Sequence, residues 1–120
     1  MSLATVARAT DGSVMCASCF VADTPLTRLR GLLGRRSLPS GEGMLLRPAG
    51  SIHTLFMRFP IDAVFLARDG TVLKVVPRLR PWRMAGCRGA RQTLELAGGE
   101  AEGRGIAPGQ RLEIHSAEGG

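Results

Sequence analysis

The chain has 120 residues, 44% of them hydrophobic, and a formal net charge of +6. That length holds one hydrophobic core and excludes two independent domains, so residues 1–120 are read as a single domain. The apolar content excludes a disordered chain, and no run approaches the ~20 apolar residues that cross a bilayer.

In chain order, Val14 to Ala22 is an apolar stretch of small residues and reads as the first strand. Asp23 or Thr24 then caps a helix with Pro25 in its first turn. Leu26, Leu29, Leu32 and Leu33 follow at helical spacing, with Arg28, Arg35 and Arg36 turned to solvent, which predicts a short helix over 25–34. Gly31 weakens that helix and is expected to admit another backbone. Met44 to Arg47 reads as a short strand stopped by Pro48, and His53 to Met57 as extended chain. Ile61 to Ala67 is the clearest strand, paired across Asp69-Gly70 with Thr71 to Val76. Pro77 to Ala90 reads as a basic loop, Arg91 to Ala97 as an alternating strand, Gly98 to Gly105 as holding one helical turn, and Arg111 to His115 as a last strand. Short strands divided by turn signals, with one helix near 25–34, predict a mostly β fold: a compact antiparallel barrel or sandwich.

Charge is unevenly spread. Residues 28–91 hold thirteen basic and three acidic residues, while residues 92–120 carry a net charge of −3. A basic middle suits anionic partners. Three cysteines do not form a disulfide framework, which favours a reducing compartment. The first dozen residues carry no apolar leader, so the expected location is cytoplasmic.

Arg30-Gly31-Leu32-Leu33-Gly34-Arg35, Gly43-Met44-Leu45-Leu46, Ser51-Ile52-His53-Thr54, Met57-Arg58-Phe59-Pro60-Ile61-Asp62, the Asp69-Gly70 hairpin and Leu94-Glu95-Leu96-Ala97-Gly98 occur in a fixed order, followed by Gly105-Ile106 and Gly109. This ordered set resembles the bacterial and archaeal domain of unknown function 192 family over about residues 14 to 114. The resemblance implies a compact, jelly-roll-like β domain with one early helix, and no established activity. Many relatives look exported. Two positions depart from the pattern: Gln110, where relatives usually have Asp, and Ala49, where relatives often have Cys.

Among candidate site residues Asp62 stands out. A carboxylate inside an apolar strand costs several kcal/mol (an order-of-magnitude figure) unless it is paired. It is read either as an acceptor that ties down a loop or pairs with Arg30 or Arg58, or as a ligand anchor or general base. His53, placed on one strand face with Ser51, Leu55 and Met57, suits a rim or ligand contact. Arg58, beside Phe59-Pro60, suits an anion clamp or an ion pair to Asp62. Trp82 lies among Arg78, Arg80, Arg83, Arg88 and Arg91. One aromatic is thin support for stacking on single strands, so nucleic acid is not favoured.

Cys16 and Cys19 form C-x-x-C in a strand, not at a helix start, and no second C-x-x-C completes a zinc site, so no metal is expected. Phosphate-binding glycine motifs are absent and no cofactor is expected. The reading is a binding module for a small polar or anionic ligand or a peptide, with a concave site formed by His53, Met57, Arg58, Asp62, Arg30 and Trp82 and no assigned catalytic residue. The alternatives are an enzyme using Asp62 or His53 as acid or base, and a basic surface for nucleic acid or an acidic protein.

Overall fold

The structure, a computed structural model, describes residues 2–116. Its first strand, β1 (Ser2–Arg8), runs antiparallel to β2 (Val14–Ala22). β1 was not legible in the sequence. Leu3 and Val6 are its large apolar side chains, and it becomes a strand because β2 on one side and the last strand on the other complete its hydrogen bonds. β2 is bulged, with its register shifting between the partners of Ala4 and Val6. The extra residues turn Cys16 and Cys19 into the same core.

Helix α1 (Pro25–Arg30) starts as expected. The Thr24 hydroxyl accepts from the Thr27 N–H at 3.2 Å, and the Thr27 hydroxyl accepts from the Thr24 N–H at 3.1 Å. Its extent and packing differ from the sequence reading. The helix stops at Arg30 because Gly31 turns out of it at φ 48° and serves as the cap, with no close backbone approach. No residue of α1 is buried: Leu26 and Leu29 stand in solvent, while Leu32, in the turn beyond, enters the core and Leu33 packs against it.

β3 (Glu42–Leu46) pairs parallel with β2, while the other strand pairs among the described residues are antiparallel. β4 (Ser51–His53) precedes the stretch expected to be extended, His53 to Met57, and shares only His53 with it, since the chain turns at Thr54. β5 (Ile61–Leu66) and β6 (Val72–Leu79) form the expected hairpin. At its tip Asp69 accepts from the Thr71 N–H at 3.0 Å and Gly70 takes φ 93°. β6 runs on through Pro77 into the segment read as loop. It can do so because β6 is an edge strand, where a missing N–H breaks no ladder. β7 (Met84–Gly86) pairs with β4 in a separate two-stranded ribbon. β8 (Gln92–Ala97), a single-turn helix α2 (Glu100–Gly103) and β9 (Leu112–Ser116) complete the chain.

The seven-stranded sheet has the order β6-β5-β8-β3-β2-β1-β9 and curls into a half-barrel, so the fold is mostly β as predicted. Each face carries its own apolar cluster. Val64, Leu66, Leu94, Leu96, Cys16, Cys19 and Ala101 lie on the face that α2 covers. Ile61, Ala63, Phe65, Met44, Leu46, Leu32, Ile52 and Met57 lie on the other, beneath α1 and the β4–β7 ribbon. Among the described residues no helix is long and apolar enough to cross a membrane.

Candidate functional site

β8 lies between β5 and β3, so its side chains meet both faces at the middle of the sheet. Leu94 and Leu96 enter the α2-side cluster. By alternation, Thr93, Glu95 and Ala97 look to the opposite face. Glu95 is opposite Ala63 of β5 and Met44 of β3 and is 3% exposed. It forms the floor of a cleft of about 310 Å³. The walls are α1 with the turn after it, the 48–50 segment, β4 and Met57.

Thr93 helps to place one wall, because its hydroxyl donates to the Ala49 carbonyl at 3.1 Å. Gly50 packs against the Ala90 carbonyl so closely that a Cβ there would sit 2.8 Å from that oxygen. Thr54 is fully buried beneath the ribbon. Its hydroxyl donates to the Arg80 carbonyl at 2.6 Å and accepts from the Arg83 N–H at 2.8 Å, which pins the turn after β4 to the 80–83 segment.

Glu95 differs from the other buried polar side chains. Thr54, Asp62, Gln92 and Thr93 are all hydrogen bonded. Among the described residues no donor reaches the Glu95 carboxyl, yet no side-chain polar atom is sealed from solvent without a partner. Its oxygens therefore reach the cleft. Burial without a compensating donor pushes the Glu95 carboxyl up to about 8. Arg28 and Arg30 stand at the mouth, and neither forms an ion pair among the described residues. His53 is on the rim, with Nδ1 accepting from the Leu55 N–H at 3.3 Å, so the neutral ring carries its proton on Nε2.

Of the six residues singled out in the sequence, the structure brings Arg30, His53 and Met57 to this cleft. It does not bring Arg58, Asp62 or Trp82 there. Asp62 is fully buried on the α2 face, and no ion pair to Arg30 or Arg58 forms. Its Oδ1 accepts from the Arg78 N–H at 2.8 Å and its Oδ2 from the Gly99 and Ala101 N–H groups at 3.0 and 2.8 Å. Those bonds fasten the β8–α2 turn and the end of β6 to the sheet. Arg58 is exposed. Trp82 is half exposed and packs edge-on against Phe56 with ring centroids 4.7 Å apart.

Sequence reasoning missed Glu95. Alternation of Thr93 and Glu95 with Leu94 and Leu96 is the pattern of a strand with one wet face. The only signal was its place in the Leu94-to-Gly98 motif.

A second depression of about 680 Å³ is wider and more open, with Arg47, Arg68 and Arg91 beside Asp23 and Asp69. It contains no buried unpartnered group, so the smaller cleft is the stronger candidate. Cys16 and Cys19 are buried together in the α2-side core. A hydrogen bond between the two thiols lowers the pKa of Cys16 and, with burial, raises that of Cys19. Among the described residues no group of His, Cys, Asp and Glu side chains is arranged to hold a metal.

These features define a small β half-barrel with a lateral cleft floored by a buried carboxyl. The DUF192 family, described as an uncharacterised ACR, matches residues 6–114. The chain belongs to that family. It is similar over 94% of its length to 92% of a Sinorhizobium meliloti 1021 protein named as a candidate transcription regulator, with 26% identity and a TM-score of 0.81. It is similar over 92% of its length to 83% of a Novosphingobium aromaticivorans protein of unknown function, with 27% identity and a TM-score of 0.79. No curated protein matches the chain.

Proposed function

We propose that the domain is a binding module for a small polar ligand carrying an anionic group, seated in the cleft between α1 and β4. The observation that carries this reading is the Glu95 carboxyl, buried at the cleft floor with no partner among the described residues. Buried polar groups are normally satisfied within the fold. One that is not, and that opens on a cavity, is completed by what enters the cavity. Arg28 and Arg30 supply positive charge at the mouth, His53 a polar rim, and Met57 and Ile52 an apolar wall. The volume suits a small molecule better than a peptide. Description of the Sinorhizobium neighbour as a candidate regulator fits a domain that senses such a molecule.

The test is NMR titration of the labelled protein with a library of small carboxylates and phosphate esters. Binding should move the Ala49, His53 and Met57 resonances, and R28A/R30A should weaken it at least tenfold. Shifts confined to the Arg47–Arg68–Arg91 depression would move the site there. A second reading rests on the same carboxyl. A buried acid with a pKa near working pH is suited to general acid–base catalysis. In that reading Glu95 takes the role expected of Asp62, and ligands found by the titration would be turned over by the wild type and not by E95Q.

A further inference from the structure

We propose, resting on the cleft reading above, that the ligand is amphoteric: an ammonium or other cationic donor is received by Glu95 at the floor, while its anionic group stays with Arg28 and Arg30 at the mouth. No protein donor reaches Glu95 among the described residues and its oxygens open on the cleft, so a ligand that enters can bring the donor its carboxylate form accepts. A purely anionic ligand brings none to the floor. A cationic donor provides the strongest complement to a desolvated carboxylate.

A simple cation fits the mouth badly, since it must pass Arg28 and Arg30 on a chain of net charge +6. A molecule with both charges, the cation leading, meets the opposite charge at both depths. The apolar walls between, from Leu32, Leu46, Ile52 and Met57, suit a short aliphatic connector.

Binding of such a ligand moves a proton. The charged and titratable groups that face the cleft besides Glu95 are Arg28 and Arg30 from α1 and His53 from β4. β3 contributes Leu46, the 48–50 segment contributes Pro48, Ala49 and Gly50, and Met57 follows β4, none of them titratable. Across the sheet Glu95 meets Ala63 and Met44. Below its raised pKa the empty cleft holds Glu95 protonated. Receiving an ammonium favours the carboxylate, so one proton leaves Glu95 for solvent and no covalent bond forms.

The experiment is isothermal calorimetry and carboxyl-carbon NMR with β-alanine, γ-aminobutyrate, ornithine and lysine, against propionate, butyrate and the matching hydroxy acids. The amines should bind more tightly than the plain and hydroxy acids. Their affinity should rise by up to about tenfold per pH unit between roughly pH 6 and 8. Saturation should lower the Glu95 titration midpoint, E95Q should lose both the preference and the slope, and H53Q should keep the slope.

If plain or hydroxy acids move the cleft resonances as strongly as the amines do, the cleft reading stands and this inference fails. A flat pH profile for the amines, or an undiminished preference in E95Q, also overturns it. If no member moves cleft resonances, both readings fall.

Discussion

Asp62 and Glu95 lie on neighbouring strands one register step apart, and their side chains leave opposite faces of the sheet: Asp62 pairs with Leu96, and Glu95 with Ala63. Asp62 points toward α2 and is saturated by three backbone N–H groups. Glu95 points toward the cleft and has no donor among the described residues. Two buried carboxyls in adjacent strands thus have opposite surroundings, one closed in by backbone donors and one open to the cleft.

Loss of Asp62 should therefore read as a stability defect. D62A leaves the Arg78, Gly99 and Ala101 N–H groups without their acceptor. At roughly 1–3 kcal/mol for each stranded group, the expected loss is about 3 kcal/mol or more. D62N retains one acceptor oxygen and turns an amide toward N–H donors, so it should fall between D62A and wild type. Urea unfolding measures both. A D62N variant as stable as wild type but unable to bind ligand would contradict the structural role.

Glu95 predicts a stability that declines with rising pH. Its pKa is about 8 in the folded chain against an ordinary 4.5, so the folded state binds the extra proton in that interval. The contribution is fully present below about pH 4.5 and is lost progressively as pH rises through about 8, amounting to on the order of 5 kcal/mol. E95Q, which cannot ionise, should lack this decline and be the more stable protein near pH 8. Melting temperatures from pH 5 to 9, an interval of roughly this span, decide it; parallel curves for the two proteins would show that Glu95 titrates normally.

Gly43 is expected to tolerate no side chain. A Cβ there would lie 2.8 Å from the Glu95 carbonyl oxygen, 2.8 Å from Leu96 Cδ2 and 2.9 Å from Cys16 Sγ. The carbonyl belongs to the paired β8 strand and cannot move alone. G43A should cost about 2 kcal/mol or more through overpacking, and thermal unfolding should show it as a lower midpoint.

The cysteines should differ sharply in reactivity. Cys87 is partly exposed, whereas Cys16 and Cys19 are buried. A thiol-specific reagent should label Cys87 quickly and the C-x-x-C pair only at the rate at which the chain opens. Mass spectrometry of a labelling time course distinguishes the sites, and early modification of Cys16 would mean that the pair is accessible in the native protein.

Much of the architecture was legible. Hairpin chemistry at Asp69-Gly70, the Thr24 cap with Pro25, and the alternation of Arg91 to Ala97 are local signals, and the elements they mark are present. β1 and the continuation of β6 through Pro77 were not legible, because each depends on a neighbouring strand or on an edge position. α1 carries helical leucine spacing but buries none of it, since Gly31 ends the helix before its apolar face reaches the sheet.

By itself the sequence determined the family and the mostly β class, and it singled out Arg30, His53 and Met57, which line the cleft. Those follow from ordered motifs and from the two-residue period of strands. Only the tertiary structure decided which carboxyl meets the cleft. Alternation shows that neighbouring positions on a strand face opposite ways, but not which face is closed by backbone donors and which lies beneath an open lid. That depends on α2 folding over one side and α1 with the β4–β7 ribbon standing over the other. Asp62 consequently became an internal fastener, and Glu95, which resembled an ordinary wet-face residue, became the group at the cleft floor.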